Sequence, residues 1–127
     1  MPSDSARPDP KVDLRRYLQH ARDSLLWKLE GLSDSDVRRP MVPTGTNLLG
    51  LVKHVASVEL GYFGDVFGRP SGESLPWTRE GAEPNADMFA TAEESRDSIV
   101  ALYQRAQGHA DATFDALELE ATGVVPW

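Results

Sequence analysis

One histidine in this chain stands where its neighbours leave room for chemistry. His54 belongs to the segment "NLLGLVKHVASVELGYFGDVF", residues 47–67, whose apolar residues follow a helical period. Since a helix advances by about 100° per residue, the side chains one and two turns away share a face with it. They are small or short: Gly50, Ser57, Val58, Gly61 and Asp65. Such a face has room for a metal and a ligand, but it also lets another helix approach, so His54 is either a metal ligand or a packed or surface histidine.

The other two histidines have more polar surroundings. His20 lies away from the apolar stripe of its helix, and His109 lies at the edge of its own stripe, as is typical of solvated side chains. The three histidines belong to three different predicted helices, and the chain contains no HxxxH, HxxE or DxH pair at ligand spacing. We therefore do not expect a metal site built from these three histidines.

Glu59 is a carboxylate in an apolar position. Its direction on the helix falls inside the arc formed by Leu48, Val52, Val55 and Tyr62. A carboxylate placed there must be paired, protonated or functional. Two interpretations stay open: a salt bridge to an arginine of the first helix or of the "VRRP" turn, and a group that orients a metal-bound water or a histidine ring.

The composition excludes several kinds of chemistry and partner. The absence of cysteine excludes disulfides, thiolate ligands and a cysteine nucleophile. "PTGTN" is too short for a phosphate-binding loop, and no serine stands in a nucleophile elbow. A net charge of −7, with basic residues interspersed among acids, argues against a nucleic-acid partner. No apolar run is long enough for a membrane span and the N-terminus is polar, so we expect a cytoplasmic protein with no membrane partner.

Three long amphipathic helices must position these side chains. The apolar periods predict helices near 12–30, 47–67 and 91–117, and no segment alternates as a strand would. The fold class is therefore predicted to be an all-α bundle, with residues 12–127 as its domain and residues 1–11 as a mobile N-terminal arm. Either three long helices suffice for this bundle or a fourth is missing.

The stripes identify the side chains that should face inward. The first helix has Leu14, Tyr17, Leu18, Ala21, Leu25 and Leu29, and the third has Ile99, Leu102, Tyr103, Ala106, Ala110, Phe114 and Leu117. Asp9, which precedes Pro10, suits the start of the first helix. Residues 68–87 have no period and are rich in glycine and proline, so they form a long loop of the kind that is often functional.

Short polar patterns predict where the helices begin. Thr46 is the expected N-cap of the second helix. Ser33 with Asp36, and Thr91 with Glu94, have the spacing of a capping box and predict the start of a short helical turn and of the third long helix.

Most of the chain resembles a known superfamily. The resemblance lies in "YLQHARDSLLWKLEGLSDSDVRRPMVPTGTNLLGLVKHVASVELGYFGDVFGRP", in "TAEESRDSIVALYQRAQGHADATFDAL" and in "GVVPW". These stretches are similar to the DinB/YfiT-like superfamily of metalloenzymes, and most of all to its actinobacterial mycothiol-transferase-like branch. The similarity covers residues 12–127, and the unit "LLWKLEGLSD…RRP…GLVKH" is characteristic of that branch.

The resemblance implies a metal site of which this chain carries one part. It implies a four-helix bundle, often dimeric, with one metal ligand from the second helix and two from an HxxxH motif on the fourth. His54, in "GLVKHVASVE", matches the second-helix ligand, whereas the fourth helix and its two histidines are absent after Trp127. We therefore expect a divalent metal, Zn²⁺ or Ni²⁺, in the complete protein, and weak or absent metal binding in this chain.

Two functions follow as hypotheses. The first is a divalent-metal-dependent thiol S-transferase of the detoxification type, which joins a low-molecular-weight thiol such as mycothiol to a small electrophile; the absence of cysteine agrees with an external thiol. The alternative is a non-catalytic helical bundle that binds a ligand or a partner and is inactive in this truncated form. Without a fourth helix the bundle leaves an apolar groove, so we also expect a homodimer.

Overall fold

A computed structural model describes residues 9–125, and within that range it contains helices and turns but no strand. The α-helices are α1 (Pro10–Leu29), α2 (Asp34–Arg38), α3 (Leu48–Tyr62) and α4 (Arg96–Ala116). Three of the four are long, which confirms the predicted all-α bundle. No helix of this range is both long and apolar enough to cross a bilayer.

Two of the predicted helix caps are confirmed. The Asp9 side chain accepts hydrogen bonds from the backbone N–H groups of Lys11 and Val12, so α1 begins at Pro10, two residues before the predicted start. Of the mobile arm predicted for residues 1–11, residues 1–8 lie outside the described range, and the last two belong to α1. Ser33 caps α2 through a 3.1 Å bond from the Asp36 N–H, as its capping-box spacing predicts.

The start of α3 and the start of α4 differ from the prediction. Asn47, not Thr46, caps α3: its side-chain oxygen accepts the Gly50 N–H at 2.7 Å. Ser95 caps α4, which begins at Arg96, five residues after the predicted start near 91. The Thr91–Glu94 pair forms a turn before the helix, in which the Thr91 N–H donates to the Glu94 carboxylate at 2.9 Å. Thr46 and Asn47 are adjacent and both have cap chemistry, so the pattern could not separate them, whereas before α4 the Thr91–Glu94 pair closes a turn of its own and Ser95 caps the helix.

The end of α3 also differs. The predicted helix runs to 67, whereas α3 ends at Tyr62 and a separate 3₁₀ turn covers Asp65–Phe67. At Gly64 an added Cβ would lie 2.5 Å from the Leu60 carbonyl oxygen, so only glycine fits where the chain turns away.

The core lies mainly between α3 and α4. Its buried apolar side chains are Leu49, Val52, Ala56 and Leu60 from α3, and Ile99, Leu102, Tyr103, Ala106 and Ala110 from α4. Leu29 and Val37 close this core from the side of α1 and α2. The stripe predicted for the third helix is confirmed in its five residues buried in this core. Burial of a large apolar side chain stabilises the fold by about 1.5–3 kcal/mol.

The stripe predicted for α1 does not face this core as a whole. Leu14 is 57% exposed and Tyr17 is 74% exposed, whereas Arg22 is buried. Arg22 lies about 80° from Leu14 around the helix, so the buried side is turned away from the centre of the predicted stripe. The cause is a buried ion pair between Arg22 and Glu59, which brings the arginine side of α1 inward. Part of the apolar face of α1 is thereby left open.

Candidate functional site

An open cleft lies along α3, on the side away from α1. Its volume is about 790 Å³, and its other wall is the loop that follows α3. The lining side chains include His54, Ser57, Val58, Gly61, Tyr62, Asp65, Glu73, Leu75, Thr78 and Asp87. Ligand sites of proteins commonly have volumes of about 300–1,000 Å³, so this cleft has the size of one.

The small-residue face predicted around His54 forms most of the α3 wall. Ser57, Val58, Gly61 and Asp65 border the cleft. Gly50 does not, because a Cβ at Gly50 would lie 2.1 Å from a backbone carbonyl oxygen of the loop. The second wall of the cleft is the loop that follows α3 and not another helix. The long loop predicted for 68–87 therefore takes part in the site.

His54 occupies the edge of the cleft with its ring held by a carboxylate. Its Nδ1 lies 2.6 Å from Oδ2 of Asp87, and 39% of its side chain is exposed. An ionised carboxylate can only accept a hydrogen bond, so Nδ1 carries the proton. In the neutral ring the other nitrogen, Nε2, then keeps its lone pair and is the one available to a ligand.

Sequence reasoning missed Asp87. It lies 33 residues beyond His54, inside a loop without periodicity, and no motif spacing connects the two residues. The turn that carries it, Ala86–Met88, is a single 3₁₀ turn. Only the folded position of the loop brings the carboxylate to the ring.

Lys53 fastens that loop to α3. Its side chain is 2% exposed, and its ammonium donates to the carbonyl oxygens of Ala86 at 2.6 Å and Phe89 at 3.1 Å. It also bonds the Glu94 carboxylate at 2.9 Å and lies 4.4 Å from the centre of the Trp77 ring. A buried ammonium needs such partners, because without them the charge would be strongly destabilising. This residue was likewise not singled out from the sequence.

Further bonds fix the same loop at both ends of the cleft. The Asn47 N–H donates to the Met88 carbonyl oxygen at 3.2 Å, and the Asn47 side-chain oxygen accepts the Ala90 N–H at 3.2 Å. Near the far end, the Trp77 indole N–H donates to the Ser57 hydroxyl at 2.8 Å. The loop is thus an ordered wall of the cleft.

Glu59 lies on another side of α3 from His54. The buried Arg22 donates to both of its oxygens, with Nε at 3.0 and 3.2 Å, so the salt bridge to the first helix is present. Burial lowers the pKa of Arg22, but its hydrogen bonds to Glu59 and Asp111 outweigh this and raise it. Burial raises the pKa of the Tyr103 phenol well above its ordinary value, and the Glu59 charge adds to the effect. Arg22 therefore stays charged and the Tyr103 phenol stays neutral across the physiological pH range.

The other histidines are not brought to the cleft. His20 is exposed on α1, in a shallow depression that it shares with Asp23 and Glu30. His109 on α4 donates from Nε2 to the Arg69 carbonyl oxygen. His54, His20 and His109 thus contact different parts of the described chain.

The described residues fit a metal ion only in part. Within residues 9–125 there is no group of three or more histidine, aspartate or glutamate side chains that could hold one. His54 suits one ligand position, because a histidine that ligates through one nitrogen commonly donates from the other to a carboxylate. Stable zinc sites use three or four ligands, so the remaining positions need donors from elsewhere.

The charges around the cleft are mostly negative. Asp65 and Asp87 border it, as does Glu73, which accepts a 2.7 Å hydrogen bond from Arg105. This bond holds the pKa of Glu73 below its usual value of 4.5. The cleft therefore disfavours ligands that carry several carboxylates.

Together, the fold and the site define a class: an all-α bundle with a solvent-open cleft beside a histidine that a carboxylate orients. The model of the mycothiol-S-transferase family matches residues 13–127, and the chain belongs to that family. This membership confirms the resemblance to the mycothiol-transferase-like branch. No curated protein and no solved structure matches the chain.

Proposed function

We propose that this protein is a divalent-metal-dependent thiol S-transferase whose reaction takes place in the cleft beside His54. Family membership supports thiol transfer. The observation that carries the site is the 2.6 Å contact between His54 Nδ1 and Asp87, which reserves Nε2 for a ligand at the edge of a cleft of about 790 Å³.

The metal has a limited part in this proposal. His54 would hold Zn²⁺ or Ni²⁺ through Nε2, with the remaining ligands from outside the described residues, so we expect this chain to bind the ion weakly on its own. Such an ion would lower the pKa of a bound thiol or water molecule toward neutrality. Asp87 would hold the ring in the orientation that leaves Nε2 free.

The transfer itself needs an external sulfur. The chain has no cysteine, so the nucleophile is the thiol of a cosubstrate, mycothiol by family membership. Its sulfur forms a bond to an electrophilic carbon while the bond from that carbon to the leaving group breaks, and the thiol proton passes to solvent. Consumption of reactive electrophiles in this way would be a detoxification reaction, and we propose the cytoplasm as its location because thiols stay reduced there.

A conjugation assay tests the proposal. The purified chain is mixed with mycothiol and a bromomethyl bimane, and the fluorescence of the thioether is followed with chelator, with Zn²⁺ and with Ni²⁺. We expect a metal-dependent rate above that without protein, which His54→Ala lowers at least about tenfold. His20→Ala is the matched control, because it removes an exposed histidine from α1 and should leave the rate unchanged. Equal rates for the two variants would contradict the role of His54.

A non-catalytic binding function has one specific observation in its favour. A second, apolar groove of about 380 Å³ lies between the start of α1, the end of α4 and the residues that follow α3. Its walls are Leu14, Leu18, Phe63, Phe67, Phe114, Leu117 and Leu119, with Lys11 and Arg15 at the rim. If no condition gives conjugation above background while an apolar dye binds this groove, the protein is a binding module instead of an enzyme.

A further inference from the structure

Lys53 and His54 are adjacent in sequence but contact different parts of one turn of the loop. Lys53 bonds the backbone carbonyls of Ala86 and Phe89, and His54 contacts the side chain of Asp87 between them. The lysine therefore fixes the position of the turn, and the turn fixes the position of the carboxylate.

We propose that Lys53 and Asp87 are positioning residues that hold the neutral ring of His54 in its Nδ1–H form, with the lone pair of Nε2 turned to the cleft. The proposal rests on the proposed function for its purpose, but the arrangement itself can be measured without metal, thiol or turnover.

The bonds of Lys53 make it a complete clamp. An ammonium has three donors, and the acceptors are three: the Ala86 carbonyl, the Phe89 carbonyl and the Glu94 carboxylate, at 2.6, 3.1 and 2.9 Å. The lysine side chain is buried, so moving the turn away would leave part of its hydrogen-bonding capacity unsatisfied in a place that water does not reach. The turn is accordingly held at one distance from α3.

The conformation of the turn points its backbone carbonyl and its carboxylate toward different residues of α3. Asn85 precedes it with φ at 62°, a left-handed conformation that asparagine tolerates better than most residues. The Met88 N–H closes the turn on the Asn85 carbonyl at 2.8 Å. Within this turn the Ala86 carbonyl meets Lys53 while the Asp87 carboxylate meets His54.

The tautomer decides whether His54 can act. A neutral imidazole with its proton on Nε2 has no lone pair there for a metal or a proton, and an unconstrained ring prefers that form. The hydrogen bond made by one nitrogen selects the form of the other. Asp87 thus shifts the neutral ring from the Nε2–H form to the Nδ1–H form, and Lys53 keeps the Asp87 carboxylate within hydrogen-bonding distance of the ring.

Ring nitrogen NMR reads the tautomer directly. The ¹⁵N-labelled full chain is studied at pH about 9, where an ordinary histidine is neutral, by two-bond ¹H–¹⁵N correlation. In the wild type we expect mainly Nδ1–H for His54. His109, which donates from Nε2 to a backbone carbonyl, should give the opposite form and so calibrates the spectrum. Mainly Nε2–H at His54 in the wild type would overturn the proposal.

Variants of Asp87 test the carboxylate. Asp87→Ala removes the acceptor, so the His54 populations should invert to mainly Nε2–H. Asp87→Asn offers Nδ1 both an accepting oxygen and a donating NH₂, so its Nδ1–H fraction should lie between those of the wild type and Asp87→Ala. If Asp87→Ala leaves His54 in the Nδ1–H form, Asp87 is not the positioning residue.

Variants of Lys53 test the clamp. Lys53→Met removes all three donors, and Lys53→Gln is the milder change, with a shorter side chain that cannot reach all the acceptors. Either folded variant should lower the Nδ1–H fraction of His54 and leave His109 unchanged, while Lys28→Met, an exposed lysine on α1, should change neither. An unchanged His54 tautomer in a folded Lys53 variant would overturn the clamp, whereas a failed conjugation assay with the expected tautomers would overturn only the proposed function.

Discussion

Replacing Gly50 by alanine should detach the loop wall of the cleft. A Cβ at Gly50 would lie 2.1 Å from the Met88 carbonyl oxygen, 2.3 Å from the Met88 carbonyl carbon and 2.5 Å from the Phe89 Cα. All three are backbone atoms, so no side chain can rotate away to make room. Either the loop stays and is strained, or it moves and loses its bonds to α3.

The magnitude follows from these alternatives. Overpacking costs about 1–3 kcal/mol. Moving the loop instead costs about 1 kcal/mol for each of the two hydrogen bonds to Asn47. The higher helix propensity of alanine returns about 1 kcal/mol, which leaves a net destabilisation of about 0–2 kcal/mol, centred on about 1 kcal/mol.

Gly108→Ala is the matched control. Gly108 is also inside a long helix, but an added Cβ there would have no neighbour within 4 Å. The same substitution should therefore stabilise the protein by up to about 1 kcal/mol. The two variants should differ by about 1–3 kcal/mol in the free energy of unfolding.

Urea denaturation measures this difference, because a domain of this size has an m-value of about 1–3 kcal/mol/M and the midpoints should separate by roughly 1 M. Hydrogen exchange of the Ala90 amide, which donates to Asn47, reports the loop itself and should accelerate only in Gly50→Ala. Equal stability of the two variants, with the amide still protected, would refute the packing of the loop against Gly50.

Three further outcomes are expected. Arg22→Ala leaves the Glu59 charge buried without its partner and should destabilise by about 3–5 kcal/mol in urea unfolding, far more than Arg15→Ala at an exposed pair. The hydrogen bond from Arg105 holds the folded pKa of Glu73 below its usual 4.5, so the stabilisation is present above pH 4.5 and is lost as pH falls through the folded pKa. The difference in stability between the wild type and Glu73→Gln should therefore close on acidification below pH 4.5. The open apolar face of α1, with Tyr17 exposed, should make the protein a homodimer in light scattering, and a clean monomer would count against this.

The sequence predicts the long helices because their periods are strong. The members of the α4 stripe that define the core are buried as expected, because burial of apolar side chains is favourable without any specific partner. For α1 the same reasoning fails at Arg22, which is polar by type but buried through Glu59. A period based on hydropathy alone cannot foresee a charged side chain that is buried with its partner.

The candidate site is predictable only on its helical side. The position of His54 and its small neighbours follow from helix geometry, which acts over a few residues. Asp87 and the anchoring role of Lys53 depend on where an irregular loop packs, and that is set by contacts between residues distant in sequence. Lys53 could have been noticed as a lysine within a predicted apolar helix, but its partners could not have been named.

The most direct test of the account is to observe which histidine meets a divalent ion. Ni²⁺ is paramagnetic and broadens the NMR lines of nearby nuclei, so it reports even weak binding by the chain as it stands. On titration, the ring signals of His54 should broaden first, ahead of those of the exposed His20 and of His109, and His54→Ala should leave the neighbouring Ser57 signal sharp. Broadening that begins at His20, or that affects all three rings equally, would contradict the assignment of the metal-dependent site to the His54 cleft.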